Sequence, residues 1–141
     1  MTKGKQEIVK VSGKARLIIV DTTSDVHEGN DTDVIITGSH SGINSGEYLA
    51  GLNIKGVIGN DAGMGKENAG IAGMKILEEH GIPAAAVAAM SAHIGNGTST
   101  YEQGKISAAN ELAKKLEIKV GMSAKEAADK MFEDAVQKQS N

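Results

Sequence analysis

The chain has no cysteine and no tryptophan, and only one phenylalanine, two tyrosines and one proline among its 141 residues. Without cysteine there is no disulfide, thiolate zinc site, iron–sulfur cluster or cysteine nucleophile. So few aromatic side chains argue against the stacking platforms on which single-stranded nucleic acids lie. Basic side chains number 15 against 18 acidic, a net charge of −3, the wrong sign for an ordinary phosphate-backbone binder. No apolar run approaches the roughly 20 residues of a membrane span. Met1 to Lys10 also lack the apolar segment of a secretory signal. The expectation is a cytoplasmic protein with no nucleic-acid partner and no membrane partner.

What is present suits a packed fold. Hydrophobic residues make up 40% and charged residues 23%, so the core must be built from Ile, Val, Leu, Met and Ala. The length fits one domain over residues 1–141: a hairpin and polar loop over 1–32, then βα units over 33–141. Two β-branched runs, Glu7 to Val11 and Ala15 to Val20, flank Ser12-Gly13-Lys14 and predict the hairpin. Asp21 to Asp33 carries five carboxylates and His27. The spacing does not fit a calcium loop and reads as a solvated connection.

From residue 33 short apolar runs alternate with helical patterns. Strands are expected at about 33–37, 56–59 and 84–89, and helices at about 45–52, 66–80 and 100–116. A short strand at 118–120 and a final helix after the capping box Ser123-Ala124-Lys125-Glu126 complete the pattern. Gly70 and Gly73 suggest a helix face that approaches the sheet closely. Asn110 falls inside an apolar stripe and would need a buried partner. The expected fold is α/β, a single three-layer domain with a mainly parallel sheet flanked by helices and preceded by the N-terminal hairpin.

Parallel strands present their C-terminal ends along one edge, where open α/β sheets bind ligands. Three glycine-rich loops should leave that edge. They carry Ser39, His40 and Ser41; Asn60, Asp61, Gly63 and Lys66; and Ser91, His93, Asn96, Ser99, Thr100 and Tyr101. Glycines in such loops serve turns, and Ser, Asn and Asp cap helices, yet polar residues on three neighbouring loops point to a site. His40 and His93 are candidates for acid and base, with Asp61 as orienter or base. The other ten residues are candidate substrate contacts. Amides at a helix start, together with Lys66, favour an anion.

Asn60 to Lys66 is not a nucleotide-triphosphate loop, because Asn60 replaces its first glycine and Glu67 its magnesium-holding hydroxyl. His40, Asp61 and His93 could form an open three-ligand metal site, but no short paired ligand spacing supports one, so no metal is assigned. No cofactor is required by the sequence.

Thr37-Gly38-Ser39-His40-Ser41-Gly42-Ile43 resembles the Thr-Gly-x-x-x-Gly-Ile turn of short-chain dehydrogenases. Asn60-Asp61-Ala62-Gly63 is similar to that family's Asn-Asn-Ala-Gly. Tyr101-Glu102-Gln103-Gly104-Lys105 matches its Tyr-x-x-x-Lys, with Ser91 upstream. The resemblance implies an oxidoreductase with a nicotinamide cofactor, in which Tyr101 is the acid–base and Lys105 assists it. The chain departs from the family at Asn44, where the turn has its final glycine. The stretch from Gly42 to Asn60 is also too short for the two βα units that separate these motifs. An enzyme acting on a small polar or anionic metabolite by acid–base chemistry (hydrolase, lyase or isomerase) therefore ranks first. A non-catalytic small-molecule-binding or accessory subunit ranks second and the oxidoreductase third. Small-residue helix faces would also allow a homo-oligomer.

Overall fold

The computed structural model describes residues 6–138, which form a mixed six-stranded sheet with helices. The hairpin is present: β1 (Glu7–Ser12) pairs antiparallel with β2 (Ala15–Val20). Gly13 takes the left-handed conformation in the turn, with φ of 64°. β2 is also a full member of the parallel sheet. It pairs with β3 (Asp33–His40), β3 with β4 (Gly56–Asn60), and β4 with β5 (Ala84–Val87), all in parallel. β6 (Ile106–Ala109) closes the far side antiparallel to β5. The order in space follows the order in sequence.

Alternation along the strands divides the apolar residues between two faces. Ile18, Ile35, Val57, Ala84 and Ala86 pack with Leu49 and Ala50 of α1 (Ile43–Leu52) and with Met74 and Leu77 of α2 (Gly73–Glu79). Leu17, Ile19, Val34, Ile36, Ile58, Ala85 and Val87 pack with Ala127, Ala128, Met131 and Phe132 of α5 (Ala124–Lys138). No helix among the described residues is long and apolar enough to cross a membrane.

The helix expected over 100–116 is replaced by three elements. They are α3 (Gly97–Gln103), the strand β6, and α4 (Glu111–Lys115). Gly104 is extended at φ −66° and ψ 144°, which ends α3. Ile106 and Ala109 then join β5 rather than a helical stripe. Their three-residue spacing fits a helix equally well, and the pairing decides the conformation. Asn110 lies between the two elements. Its Oδ1 accepts from the amides of Ala84 and Ala113, and its Nδ2 donates to the carbonyls of Met74 and Ile82.

Three smaller expectations also change. The stretch 118–120 forms no strand, although Ile118 is buried. Lys66–Ile71 is a 3-10 segment, and the α-helix begins only at Gly73. The glycines there admit a loop and a helix rather than the sheet. A methyl on Gly70 would lie 2.0 Å from the Asp61 carbonyl oxygen, and one on Gly73 would lie 2.1 Å from that of Gly42, just before α1. The loop after β2 is not wholly solvated either, since Val26 and Asn30 are buried.

Candidate functional site

The parallel pairing brings the ends of β2, β3, β4 and β5 to one edge, as the strand pattern requires. The segment after β5 folds across it. Gly38 near the end of β3 accepts the Gly95 amide at 2.7 Å, and its own amide donates to the Asp21 carbonyl. A methyl there would lie 2.2 Å from the Asn96 amide nitrogen, so only glycine lets the two backbones meet. Asp21, at the end of β2, accepts the Gly97 amide through Oδ1 at 2.9 Å. Asp21 thereby belongs to this edge. Reading β2 only as half of a hairpin hid that position.

Asp61 is 4% exposed and accepts three hydrogen bonds. Its Oδ1 accepts from the amides of Gly63 and Ala89 at 2.7 and 2.9 Å, and its Oδ2 accepts from Ser107 Oγ at 2.7 Å. Ser107 was not foreseen, because it sits on a strand whose sequence reads as helix. The Asp61 carboxylate ties the ends of β4, β5 and β6 together. It has no hydrogen bond to either histidine among the described residues.

His40 is exposed, and its Nδ1 accepts the Gly42 amide at 3.0 Å. A neutral imidazole held in this way carries its proton on Nε2, so the outward nitrogen is a donor rather than a base. His93 is exposed, and its backbone amide donates to Ser99 Oγ. Among the described residues no three His, Asp or Glu side chains are gathered as metal ligands. The three-ligand site conceivable for His40, Asp61 and His93 is therefore not formed.

Several of the expected contacts serve the loops themselves. Ser39 Oγ accepts the Thr23 amide. The Ser41 amide is shared between the carbonyls of Asn60 and Gly70. Ser91 Oγ donates to the Ala88 carbonyl and accepts the Lys105 amide. Asn96 caps α3 by accepting the Ser99 amide, Ser99 donates to Gln103, and Thr100 is buried. Tyr101 packs beside the α5 face of the core, with the Lys125 ammonium 5.4 Å from its ring centroid. Because α3 stops at Gln103, Tyr101 and Lys105 do not share a helical turn, the arrangement that Tyr-x-x-x-Lys resembles.

Asn60 is different. It is completely buried and its Oδ1 accepts the Ala62 amide at 2.7 Å, but its Nδ2 has no acceptor. The next four residues after Asp61 all have positive φ: Ala62 at 52°, Gly63 at 73°, Met64 at 65° and Gly65 at 62°. Alanine and methionine in this region are strained. Lys66 follows, exposed to solvent.

The cavity touching His40 and Ser41 measures about 10 Å³, and neither Asn60 nor Lys66 lines it; it has room for about one water. A larger cavity of about 520 Å³ opens beside the end of β2, lined by Gln6, Glu7, Ile19, Val20, Asp21 and Thr98. Its charged lining is acidic, which opposes an anion. Compared with known protein families, curated proteins and solved structures, the chain matches none. The fold and edge thus define an α/β protein with loops converging on one end of its parallel strands.

Proposed function

We propose that this protein binds a small polar, anionic metabolite at the C-terminal edge of the sheet, beside Asn60 and Lys66. It would act as a small-molecule-binding or accessory protein. The observation that carries this reading is the Asn60 amide. A buried donor without an acceptor costs about 1–3 kcal/mol, and such groups are rare unless a water or ligand satisfies them. A ligand carboxylate or phosphate oxygen would supply the missing acceptor. The Nε2–H of His40, which stands beside Asn60 across β3 and β4, and the exposed Lys66 ammonium would be further donors for the same ligand. The strained run Ala62–Gly65 lies between Asn60 and Lys66, where rearrangement would admit the ligand.

Acid–base turnover by His40 and His93 ranks behind binding. Asp61 already accepts three hydrogen bonds, none of them from a histidine, which favours the binding reading over a role for Asp61 as orienter or base. A hydrolase, lyase or isomerase would need His40 to exchange its hydrogen bond with Gly42 before accepting a proton.

A thermal-shift screen against small carboxylates and phosphates tests the reading. At least one anion should raise the melting temperature of the native protein, with the rise much reduced in Asn60→Ala and Lys66→Ala. Unliganded Asn60→Ala should stay within about 1 kcal/mol of the native protein, since losing the Ala62 bond is offset by removing the orphan donor. No shift with any anion, or shifts untouched by both substitutions, would refute the proposal. Turnover of a bound anion with a pH profile set by a group near neutrality would instead favour catalysis.

A further inference from the structure

Among the described residues β1 is an outer strand, paired only with β2. Among the described residues, the backbone groups of Glu7 to Val11 make no hydrogen bond outside that ladder. Such an edge is a template for another strand. Ile8 and Val11 are 51% and 59% exposed. Three residues apart in a regular strand, they would point to opposite faces. The register shifts between Ile8 and Lys10, however, so Ile8 lies opposite Ile18 and Val11 opposite Arg16. Ile18 and Arg16 are two apart on β2 and share a face, so the irregularity places both exposed apolar residues on one side of the sheet.

We propose that β1 pairs antiparallel with β1 of a second copy of this chain, joining two sheets across a two-fold axis. With the axis between Val9 and Lys10, Ile8 falls opposite Val11 of the partner subunit and Val11 opposite Ile8 of the partner subunit. A two-fold perpendicular to the sheet keeps all four side chains on one face. Glu7 then falls opposite Ser12 of the partner subunit and diagonal to Lys10 of the partner subunit, so opposite charges are neighbours and like charges are not directly opposed. A bulge and a lysine are also devices that blunt edges. Here the Lys10 ammonium is bound to Asp129 of α5, which packs on the face of the sheet opposite to Ile18, so it does not cover the apolar pair that the bulge creates. The interface is separate from the ligand edge and stands whether or not the anion reading holds.

Sedimentation equilibrium of the full chain over a range of concentrations tests the proposal, with the same measurement on Ile8→Lys and Val11→Lys. Both positions are exposed, and circular dichroism with thermal melts at low concentration checks that the variants fold. The native chain should show a monomer–dimer equilibrium, and each lysine should weaken it by about tenfold or more. Amide exchange should slow in Glu7 to Val11 as the dimer forms. A monomer throughout, or a dimer unaffected by either substitution, would overturn the proposal, the latter placing the interface elsewhere. If neither variant folds, β1 amide exchange in the native chain decides: protection independent of concentration rejects the pairing.

Discussion

Ser107 Oγ donates to Asp61 Oδ2 at 2.7 Å, across the intervening strand β5. One hydroxyl from the antiparallel strand β6 thus completes the shell of a carboxylate at the end of β4. The same carboxylate fastens the Ala62–Gly65 run through Gly63 and the start of the next loop through Ala89.

Asp61→Ala should therefore act on stability even without a ligand. It strands two backbone amides and leaves the Ser107 hydroxyl only its longer bond to the Ala86 carbonyl, and a loss of about 2–4 kcal/mol is expected. Ser107→Ala removes one of the three donors and should cost roughly 1–2 kcal/mol. Urea denaturation of both variants measures this. An Asp61→Ala midpoint equal to that of the native protein would contradict the structural role.

The glycines separate by environment rather than by count. Gly38→Ala would bring a methyl to 2.2 Å from the Asn96 backbone nitrogen. About 2–4 kcal/mol of destabilisation is expected, with faster amide exchange over residues 93–97. Gly51 lies within α1 and has nothing within 4 Å of an added methyl. Gly51→Ala should stabilise the protein by about 0.5–1 kcal/mol. Thermal melts of the pair check the contrast.

The Gly42 amide on His40 Nδ1 specifies a tautomer. Long-range proton–nitrogen spectra of the neutral protein should show His40 protonated at Nε2. A proton on Nδ1 would mean that this hydrogen bond is not formed in solution.

Lys10 and Lys125 are both held above the ordinary lysine value of 10.5, Lys10 chiefly by its hydrogen bond to Asp129 and Lys125 chiefly by its bond to Glu102. A raised folded-state pKa gives stability that is complete below the unfolded value and is lost as pH rises through the folded one. Their contribution should be flat at neutral pH and fall away above about pH 10.5. Both pairs are surface-exposed, so the fall should be small. Denaturation midpoints from neutral to strongly alkaline pH, with Lys10→Met for comparison, measure it. Loss of stability below pH 9 that disappears in Lys10→Met would contradict the assignment.

Local chemistry was enough for the hairpin around Gly13, the parallel run through β3, β4 and β5, and the gathering of three loops at one edge. Alternating apolar residues and glycine breaks leave few other ways to bury those strands. The same chemistry also placed Ser39, His40, Ser41, Asn60 and Asp61 at that edge. It could not show what each side chain does there. Ile106 to Ala109 has a spacing compatible with helix or strand, and only pairing with Ala85 to Val87 resolves it. Ser107 reaches Asp61 because of that pairing, giving the candidate base a structural partner from a third strand. Asp21 joins the edge because β2 pairs with β3. The orphaned amide of Asn60 likewise has no signature in the chain, since a missing acceptor is a property of everything packed around it. Sequence determined that the loops after β3, β4 and β5 stand at the sheet edge, because strand direction and turn geometry are local. Tertiary structure decided which of them are spent on holding the fold and which still lack a partner, because hydrogen-bond partners come from residues far apart in the chain.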